Sequence, residues 1–170
     1  VVKIQGKVKE LIAQHRSSVF DTWLEQDKIS CLPNYALPAV ISPTAFTSMV
    51  PKSLYTAEED MNEYEFKVVW ALSELGNVKW WHRNISILGF QINGPVHAYP
   101  DIIVMLHSGK ILMVEAKGDH LDNDESKEKA KIGDQWAKLA GKQYKYYMVF
   151  ETKQPDYPGA YSLERFMEIV

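Results

Sequence analysis

The stretch YPDIIVMLHSGKILMVEAKG, residues 99–118, decides the fold. It contains two apolar runs, IIVML at 102–106 and ILMV at 111–114, and neither alternates apolar with polar residues. Runs of this kind are typical of strands that are covered on both faces. The four residues between them, HSGK at 107–110, are a hairpin signal. The stretch therefore predicts two central strands, at 102–106 and 111–116, joined by a tight turn.

Three charged residues lie at the ends of these strands: Asp101 before the first, and Glu115 and Lys117 at the end of the second. Because strand side chains alternate, Glu115 and Lys117 share a face, while Ala116 points the other way and leaves its carbonyl available. The hairpin folds Asp101 back beside Glu115. If the numbers of paired residues sum to 216, Asp101 lies opposite Glu115. If they sum to 217, it lies opposite Ala116, and only the first register puts both carboxylates on one face.

Two carboxylates this close repel each other unless a cation joins them. Magnesium binds oxygen ligands, usually one or two carboxylates together with water and a substrate phosphate. Such an ion activates water and stabilises the charge that develops on a phosphate. The ammonium of Lys117 could hold the attacking water or neutralise the phosphate. The pattern predicts a magnesium-dependent phosphodiesterase site, and the alternative interpretation is an ion-pair network at the edge of a sheet.

A helix is predicted over residues 57–75, capped by Thr56 and ended by Gly76-Asn77. Its apolar stripe is interrupted by Glu65, which should face the core. A buried carboxylate needs a partner or a metal ion. If the helix is rotated by one position, Glu65 lies on the surface instead, and Glu63 becomes the alternative ligand.

The rest of the chain is assigned more coarsely. We predict a helix from Ser17 or Ser18 to about Lys28, short edge strands such as 39–41 in a proline-rich segment, strands at 78–83, 85–91 and 144–150, and helices at 126–139 and 162–170. Residues 1–52 are expected to form a helical, proline-rich lead-in packed on the core, and residues 53–170 the main domain, a mixed α/β fold. Four residues at the end of the first predicted strand are assigned to packing: Trp80, Trp81, His82 and Arg83.

Charge is unevenly distributed in this chain of 170 residues with a net charge of −3. Residues 57–126 hold twelve Asp/Glu against five Lys/Arg, a net −7, which favours cations over unaided nucleic-acid binding. Residues 127–145 hold six lysines against two acidic residues. Their helix is a candidate contact to a DNA backbone through Lys127, Lys129 and Lys131, and the alternative is a solvated helix face.

Several other classes of protein are disfavoured. The single cysteine, Cys31, excludes an internal disulfide and a cysteine-rich zinc site. The chain contains no apolar run long enough to span a membrane and no signal-peptide pattern at its first residues, so we expect a cytoplasmic protein without a membrane partner.

The charged pattern resembles the PD-(D/E)xK nuclease superfamily, with Pro100-Asp101 as the first half of the motif and Glu115-Ala116-Lys117 as the second. The resemblance implies a restriction-endonuclease-like mixed sheet flanked by helices, with an αβββαβ core. It also implies metal binding by Asp101, Glu115 and the backbone carbonyl of Ala116, with Mg²⁺ as the ion and Mn²⁺ as a substitute. The first helix of such nucleases often supplies a further acidic ligand, for which Glu65 is the candidate.

A longer set of residues is similar to the C-terminal endonuclease region of the Res subunit of type III restriction-modification enzymes: Ser53-Leu54-Tyr55, Met61 to Glu65, Trp81 to Asn84, Tyr99 to Asp101, Glu115 to Gly118 and Trp136. This similarity covers roughly residues 50–150. It implies cleavage of double-stranded DNA by a domain attached to a helicase-like motor and working with a methyltransferase subunit. The chain has no GxxxxGK[ST] phosphate loop, so the motor is expected elsewhere.

The origin of the chain and its activity each have alternatives at this point. The chain is either an excised domain or a stand-alone relative of such enzymes. It could be a catalytically inactive nuclease fold that docks a motor to its partner, or a nuclease that acts on other nucleic-acid structures. Because cutting both strands needs two active sites or one that acts twice, a dimer at the DNA is a further hypothesis.

Overall fold

The structure is a computed structural model that describes residues 2–31, 33, 35–45 and 50–170. Within these ranges the chain forms four α-helices, one short 3₁₀ turn at Asp119–Leu121 and five strands. The helices and strands are α1 (Val2–Glu25), α2 (Glu63–Glu74), β1 (Val78–Arg83), β2 (Ile102–Leu106), β3 (Ile111–Lys117), α3 (Asp124–Ala140), β4 (Tyr144–Phe150), β5 (Ala160–Ser162) and α4 (Leu163–Ile169). The mixed α/β class predicted from the sequence is therefore correct.

The five strands form one mixed sheet in the order β1-β2-β3-β4-β5. β1, β2 and β3 are antiparallel neighbours, whereas β4 and β5 run parallel to β3. The turn between β2 and β3 contains Gly109, whose φ of 84° lies in the region that glycine adopts without strain. Parallel pairing of β3 with β4 requires a crossover, which α3 supplies.

Each face of the sheet has its own apolar core, which explains why the central strands do not alternate. One core packs α2 and α4 on the sheet through residues such as Val68, Leu72 and Phe166. The other packs α3 on the opposite face through residues such as Ile132 and Trp136. Because both faces are covered, both sets of side chains on β2 and β3 are buried.

Several predicted elements are confirmed by the structure. The strands predicted at 78–83, 102–106, 111–116 and 144–150 are present, the second hairpin strand extending one residue further. The helices predicted at 126–139 and 162–170 correspond to α3 and α4, and Ser162 caps α4 by accepting a hydrogen bond from the N–H of Arg165.

One predicted boundary and two predicted strands are wrong. The helix predicted from residue 57 begins at Glu63, because Asn62 rather than Thr56 provides the cap. The segment 85–91 is not a strand, because the side chain of Asn84 binds its backbone at Phe90 and folds it into a tight loop. The segment 39–41 does not form the predicted edge strand.

The first helix is also longer than predicted. α1 begins at Val2 and contains Ser17 and Ser18 in its interior, so neither serine is the N-cap. Its second half contacts α3, where Ser17 binds Glu128 and Asp21 pairs with Lys131. None of the helices in the described ranges combines the length and the apolar content that a membrane crossing requires.

Candidate active site

Asp101 and Glu115 face each other at the end of the β2–β3 hairpin. In this hairpin Ile102 pairs with Val114, so the same register continued by one residue places Asp101 opposite Glu115. The structure thus has the register in which paired numbers sum to 216, and Glu115 lies on the face covered by α3, where Tyr146 contacts it. The Glu115 side chain is 3% exposed and the Asp101 side chain 16% exposed. Both carboxylates are therefore largely removed from water.

Lys117 neutralises Glu115. Its ammonium nitrogen lies 2.6 Å from Oε1 of Glu115, as expected for residues two apart on one face of a strand. Burial opposes a positive charge at this position, but the carboxylates of Glu115 and Asp101 outweigh it and raise the pKa of Lys117. Lys117 is therefore an ammonium ion held at the edge of the site.

Tyr146, on β4, supplies the second partner of Glu115. Its hydroxyl donates a hydrogen bond of 2.5 Å to Oε2 of Glu115. Burial and the adjacent carboxylate keep the pKa of Tyr146 well above its usual value, so the phenol remains a donor. Gly133 of α3 makes room for this ring, because a Cβ at that position would lie 2.3 Å from it.

Asp101 is held by two neighbours but remains short of positive charge. Its Oδ2 accepts a hydrogen bond of 2.8 Å from the backbone N–H of Ala116, and its Oδ1 lies 3.4 Å from the guanidinium of Arg83. Burial, followed by the carboxylates of Glu65 and Glu115, raises the pKa of Asp101 to about 7 against these two interactions. A further cation would relieve this excess of negative charge.

The carbonyl of Ala116 lies at the same end of the hairpin. In the hairpin register Ala116 lies opposite Pro100, which has no N–H to donate across the ladder. The carbonyl of Pro100 is already bound by the side chain of Asn84 at 2.7 Å. The pairing of the two strands therefore ends here, and the Ala116 carbonyl lacks the donor that a residue other than proline would have supplied.

Glu65 joins the site through Arg83, which binds both Glu65 and Asp101. It is buried, as its place on the apolar stripe predicts, whereas Glu63 is exposed. Its carboxylate caps α2 by accepting from the N–H of Asn62, and both of its oxygens lie 3.1 Å from Arg83. Glu65 therefore has an ion pair and a capping hydrogen bond as its partners.

Arg83 is one of two site residues that the sequence does not predict, because its pattern assigns Arg83 to packing. Its guanidinium binds Glu65 through one nitrogen and, through the other, the carboxylate and the backbone carbonyl of Asp101. A signal was present in the sequence. Arg83 ends β1, and since β1 is antiparallel to β2, its last residue lies opposite Ile102, next to Asp101. The second such residue is Tyr146, on β4. Because β4 pairs with β3 in parallel, its register cannot be derived from the sequence of the β2–β3 hairpin.

The atoms that could hold a metal ion at this end of the hairpin are oxygens. Asp101 and Glu115 provide two carboxylates and Ala116 a carbonyl, which is the donor set magnesium takes when water and substrate complete its coordination. Within the described ranges, no three His, Cys, Asp or Glu side chains form a group that could hold a metal ion by themselves. With all five side chains ionised, the three carboxylates of Glu65, Asp101 and Glu115 exceed the two cations, Arg83 and Lys117, by one charge.

The three lysines predicted to contact DNA lie on α3, which starts soon after β3 ends and so begins near the site. Each of them is close to an acidic side chain: Lys127 lies 4.0 Å from Asp124, Lys129 lies 2.8 Å from Glu125, and Lys131 lies 2.7 Å from Asp21 of α1. Lys127 and Lys131 are exposed, and Lys129 is half-buried. Two of the three charges are therefore accessible to a polyanion.

Comparisons of the chain with protein-family models, with curated proteins and with solved structures give no match.

Proposed function

We propose that the chain is a metal-dependent endonuclease that hydrolyses phosphodiester bonds in DNA. The observation that carries the proposal is the juxtaposition of Asp101 and Glu115 at the end of a buried hairpin, with the ammonium of Lys117 2.6 Å from Glu115. Two largely buried carboxylates beside a fixed ammonium suit the binding of a divalent ion and an anionic substrate.

Magnesium is the proposed cofactor, with manganese as a substitute. The ion would be held by Asp101, Glu115 and the Ala116 carbonyl. Glu65 would either orient Arg83 or bind the ion as a further ligand. The ion would supply an activated water and stabilise negative charge on the phosphate.

The side chains of the chain have separate roles in this proposal. Lys117 orients the attacking water or binds a phosphate oxygen, because its three donors reach beyond Glu115. Arg83 fixes the carboxylate of Asp101 through its hydrogen bonds to that residue. Tyr146 fixes the rotamer of Glu115 from the opposite side. The exposed lysines Lys127 and Lys131, with Lys129, contribute attraction to the DNA backbone.

We further propose that the fold is restriction-endonuclease-like and that the chain is the cleavage domain of a type III Res subunit. The order α2-β1-β2-β3-α3-β4, which is helix, three strands, helix, strand, supports this interpretation. In that setting a helicase-like motor and a methyltransferase subunit would bring the domain to double-stranded DNA in the cytoplasm. Two copies would meet at the DNA to cut both strands.

Cleavage of supercoiled plasmid at high protein concentration, with Mg²⁺ or Mn²⁺, tests the proposed activity. The wild type is expected to nick and linearise the plasmid, and Lys117→Ala to lose this activity. Lys110→Ala is the matched control, because Lys110 is an exposed lysine in the turn at the other end of the hairpin. Equal cleavage by all three proteins would contradict the assignment of Lys117.

The second candidate function is a docking module that has the nuclease fold without its activity. The ion pairs of Glu115 with Lys117 and of Glu65 with Arg83 favour it, since they already neutralise two of the three carboxylates. Titration with Mn²⁺, followed by its paramagnetic resonance signal, separates the two functions. Binding by the wild type that is lost in Asp101→Asn supports the nuclease, and no binding by either protein supports the docking module.

A further inference from the structure

Residues 85–89 form a tight loop that displays two large apolar side chains to water. Ile87 and Leu88 are 80% and 81% exposed, more than any other large apolar side chain of the described residues. The loop follows Arg83 and Asn84 directly, so it leaves β1 at the end that carries the candidate active site. A pair of exposed apolar residues at such a point is unfavourable in water unless a ligand covers it.

The loop is built to hold its shape. The buried side chain of Asn84 accepts from the N–H of Phe90 and donates to the carbonyls of Phe90 and Pro100. The N–H of Gly89 closes the loop on the carbonyl of Ile85 at 2.7 Å. Gly89 is required there, because a Cβ would lie 2.2 Å from the Asn84 side chain. The loop is therefore clamped at its base.

The backbone of Ile87 is strained. Its φ of 73° lies in the left-handed region, which a β-branched residue rarely adopts. Strain of this kind persists only where the surrounding structure imposes it, and it is concentrated at functional positions. Here the clamp at Asn84 imposes it, and the result is that two apolar side chains project together from the surface.

The loop is tied to Asp101 by the backbone. The N–H of Asn84 donates to the carbonyl of Asp101 at 2.8 Å, and Arg83 binds the same carbonyl at 2.9 Å. Asn84, at the base of the loop, and Arg83, the residue before it, therefore both bind the backbone of Asp101. Ile87 and Leu88 follow Asn84 by three and four residues, so they lie within about 15 Å of it, a distance that one duplex bound at Asp101 can span.

We propose that Ile87 and Leu88 form an apolar wedge that inserts between base pairs of the DNA whose backbone is cut at Asp101 and Glu115. The inference rests on the proposed nuclease function and adds the way in which the substrate is held. Isoleucine and leucine side chains that enter a base step partly unstack it and kink the duplex. The wedge buries apolar surface that is otherwise exposed, and the rigid base of the loop transmits the kink to the phosphate beside Asp101.

Base unstacking tests the wedge without requiring cleavage. The probe is a short duplex with 2-aminopurine, whose fluorescence rises when it is unstacked, at low salt and high protein concentration, with Ca²⁺ to neutralise the carboxylates of the site. The wild type is expected to raise the fluorescence, and Ile87→Ser/Leu88→Ser to abolish the rise and weaken binding by about tenfold. Ile4→Ser is the control, because Ile4 is 70% exposed on α1, and it is expected to behave as the wild type.

A second variant tests whether the geometry matters as well as the side chains. Gly89→Ala keeps Ile87 and Leu88 but forces the clamp at Asn84 to shift, so the rise is expected to fall. Thermal unfolding is measured for each variant to establish that it is folded. A rise that survives in the Ile87→Ser/Leu88→Ser protein would overturn the wedge, as would the absence of any rise with the wild type.

The two proposals fail in different ways. Plasmid cleavage that depends on Lys117, with no change in 2-aminopurine fluorescence, would overturn the wedge and leave the nuclease intact. A fluorescence rise that depends on Ile87 and Leu88, with no metal binding and no cleavage, would contradict the nuclease and leave the loop as a DNA-binding element.

Discussion

Nη2 of Arg83 lies 3.1 Å from both carboxylate oxygens of Glu65, and this ion pair joins the start of α2 to the end of β1. The same guanidinium also reaches Asp101. Because the fork of an arginine fixes the orientation of its partners, one side chain sets the distance between the helix and the hairpin. Lysine, with a point charge, would not reproduce this arrangement.

Replacing Arg83 should therefore destabilise the protein more than an ordinary ion-pair mutation. In Arg83→Met, Glu65 and Asp101 lose a partner while remaining mostly buried, and we expect a loss of about 3 kcal/mol in the free energy of unfolding. Lys67→Met is the control, because its pair with Glu151 is 55% and 45% exposed, and we expect at most about 1 kcal/mol there. Urea unfolding at neutral pH measures both, and equal losses would contradict the structural role of Arg83.

Asp101 should make the stability of the metal-free protein depend on pH. Its pKa is about 7 in the folded state, above the ordinary 3.8, so the folded state keeps a proton that the unfolded state releases between these values. Stability attributable to this group is therefore lost as pH rises from about 4 to about 7, by up to about 4 kcal/mol. Asp101→Asn should be more stable than the wild type at about pH 8 and lose this advantage near pH 4, as measured by urea unfolding with a chelator.

A divalent ion should offset the stability that is lost when Asp101 ionises. If Asp101 and Glu115 hold Mg²⁺, the ion binds the folded state only and adds about 2.7 kcal/mol when its concentration is one hundred times its dissociation constant. Thermal unfolding at about pH 8 should shift upward with Mg²⁺ in the wild type and stay constant in Asp101→Asn. An equal shift in both proteins would indicate an ion bound elsewhere.

Lys117 should matter for both stability and activity, and the two effects can be separated. Lys117→Ala leaves the buried carboxylate of Glu115 with Tyr146 as its hydrogen-bond partner, and we expect a loss of about 3 kcal/mol in unfolding free energy. Adding Glu115→Gln removes the unpaired charge and should restore most of that stability, while plasmid cleavage stays abolished. Recovery of cleavage in the double variant would contradict the proposed roles of both residues.

The lysines of α3 should contribute to the salt dependence of DNA binding. If Lys127, Lys129 and Lys131 contact phosphates, their replacement by alanine should reduce the slope of log affinity against log salt by about 0.9 for each lysine. The matched control is Lys142→Ala/Lys145→Ala. These exposed lysines lie at the start of β4, at the opposite end of the sheet from Lys117, and should leave the slope unchanged.

The sequence predicted the hairpin and its charges because their signals are local. Two apolar runs separated by a four-residue turn can pair in few ways, and Asp101, Glu115 and Lys117 follow from the strand period. The helix at Glu63 was placed too early, because the acidic residues before it resemble a first turn while the cap is Asn62 with Glu65. The loop at 85–89 was predicted as a strand, since its apolar residues suggest burial and the bonds from Asn84 depend on tertiary structure.

Local sequence patterns do not predict the residues that enter the site from distant elements. Arg83 and Tyr146 reach it through the pairing of β1 with β2 and of β3 with β4, and only the complete sheet fixes their positions. The short strand β5 was also missed, because its three residues carry no periodic pattern.

The hairpin register has a consequence for how the chain finds one structure. β2 and β3 are apolar on both faces, so shifting one strand by a single residue would exchange apolar side chains for others of similar size. Burial alone therefore discriminates weakly between the two pairings. Besides the turn at Gly109, contacts at the polar end distinguish them, where Asp101 meets the N–H of Ala116 and the guanidinium of Arg83. We infer that the same charges that make the candidate site also select which residues pair, so an all-apolar replacement of them would yield a protein with more than one native strand alignment.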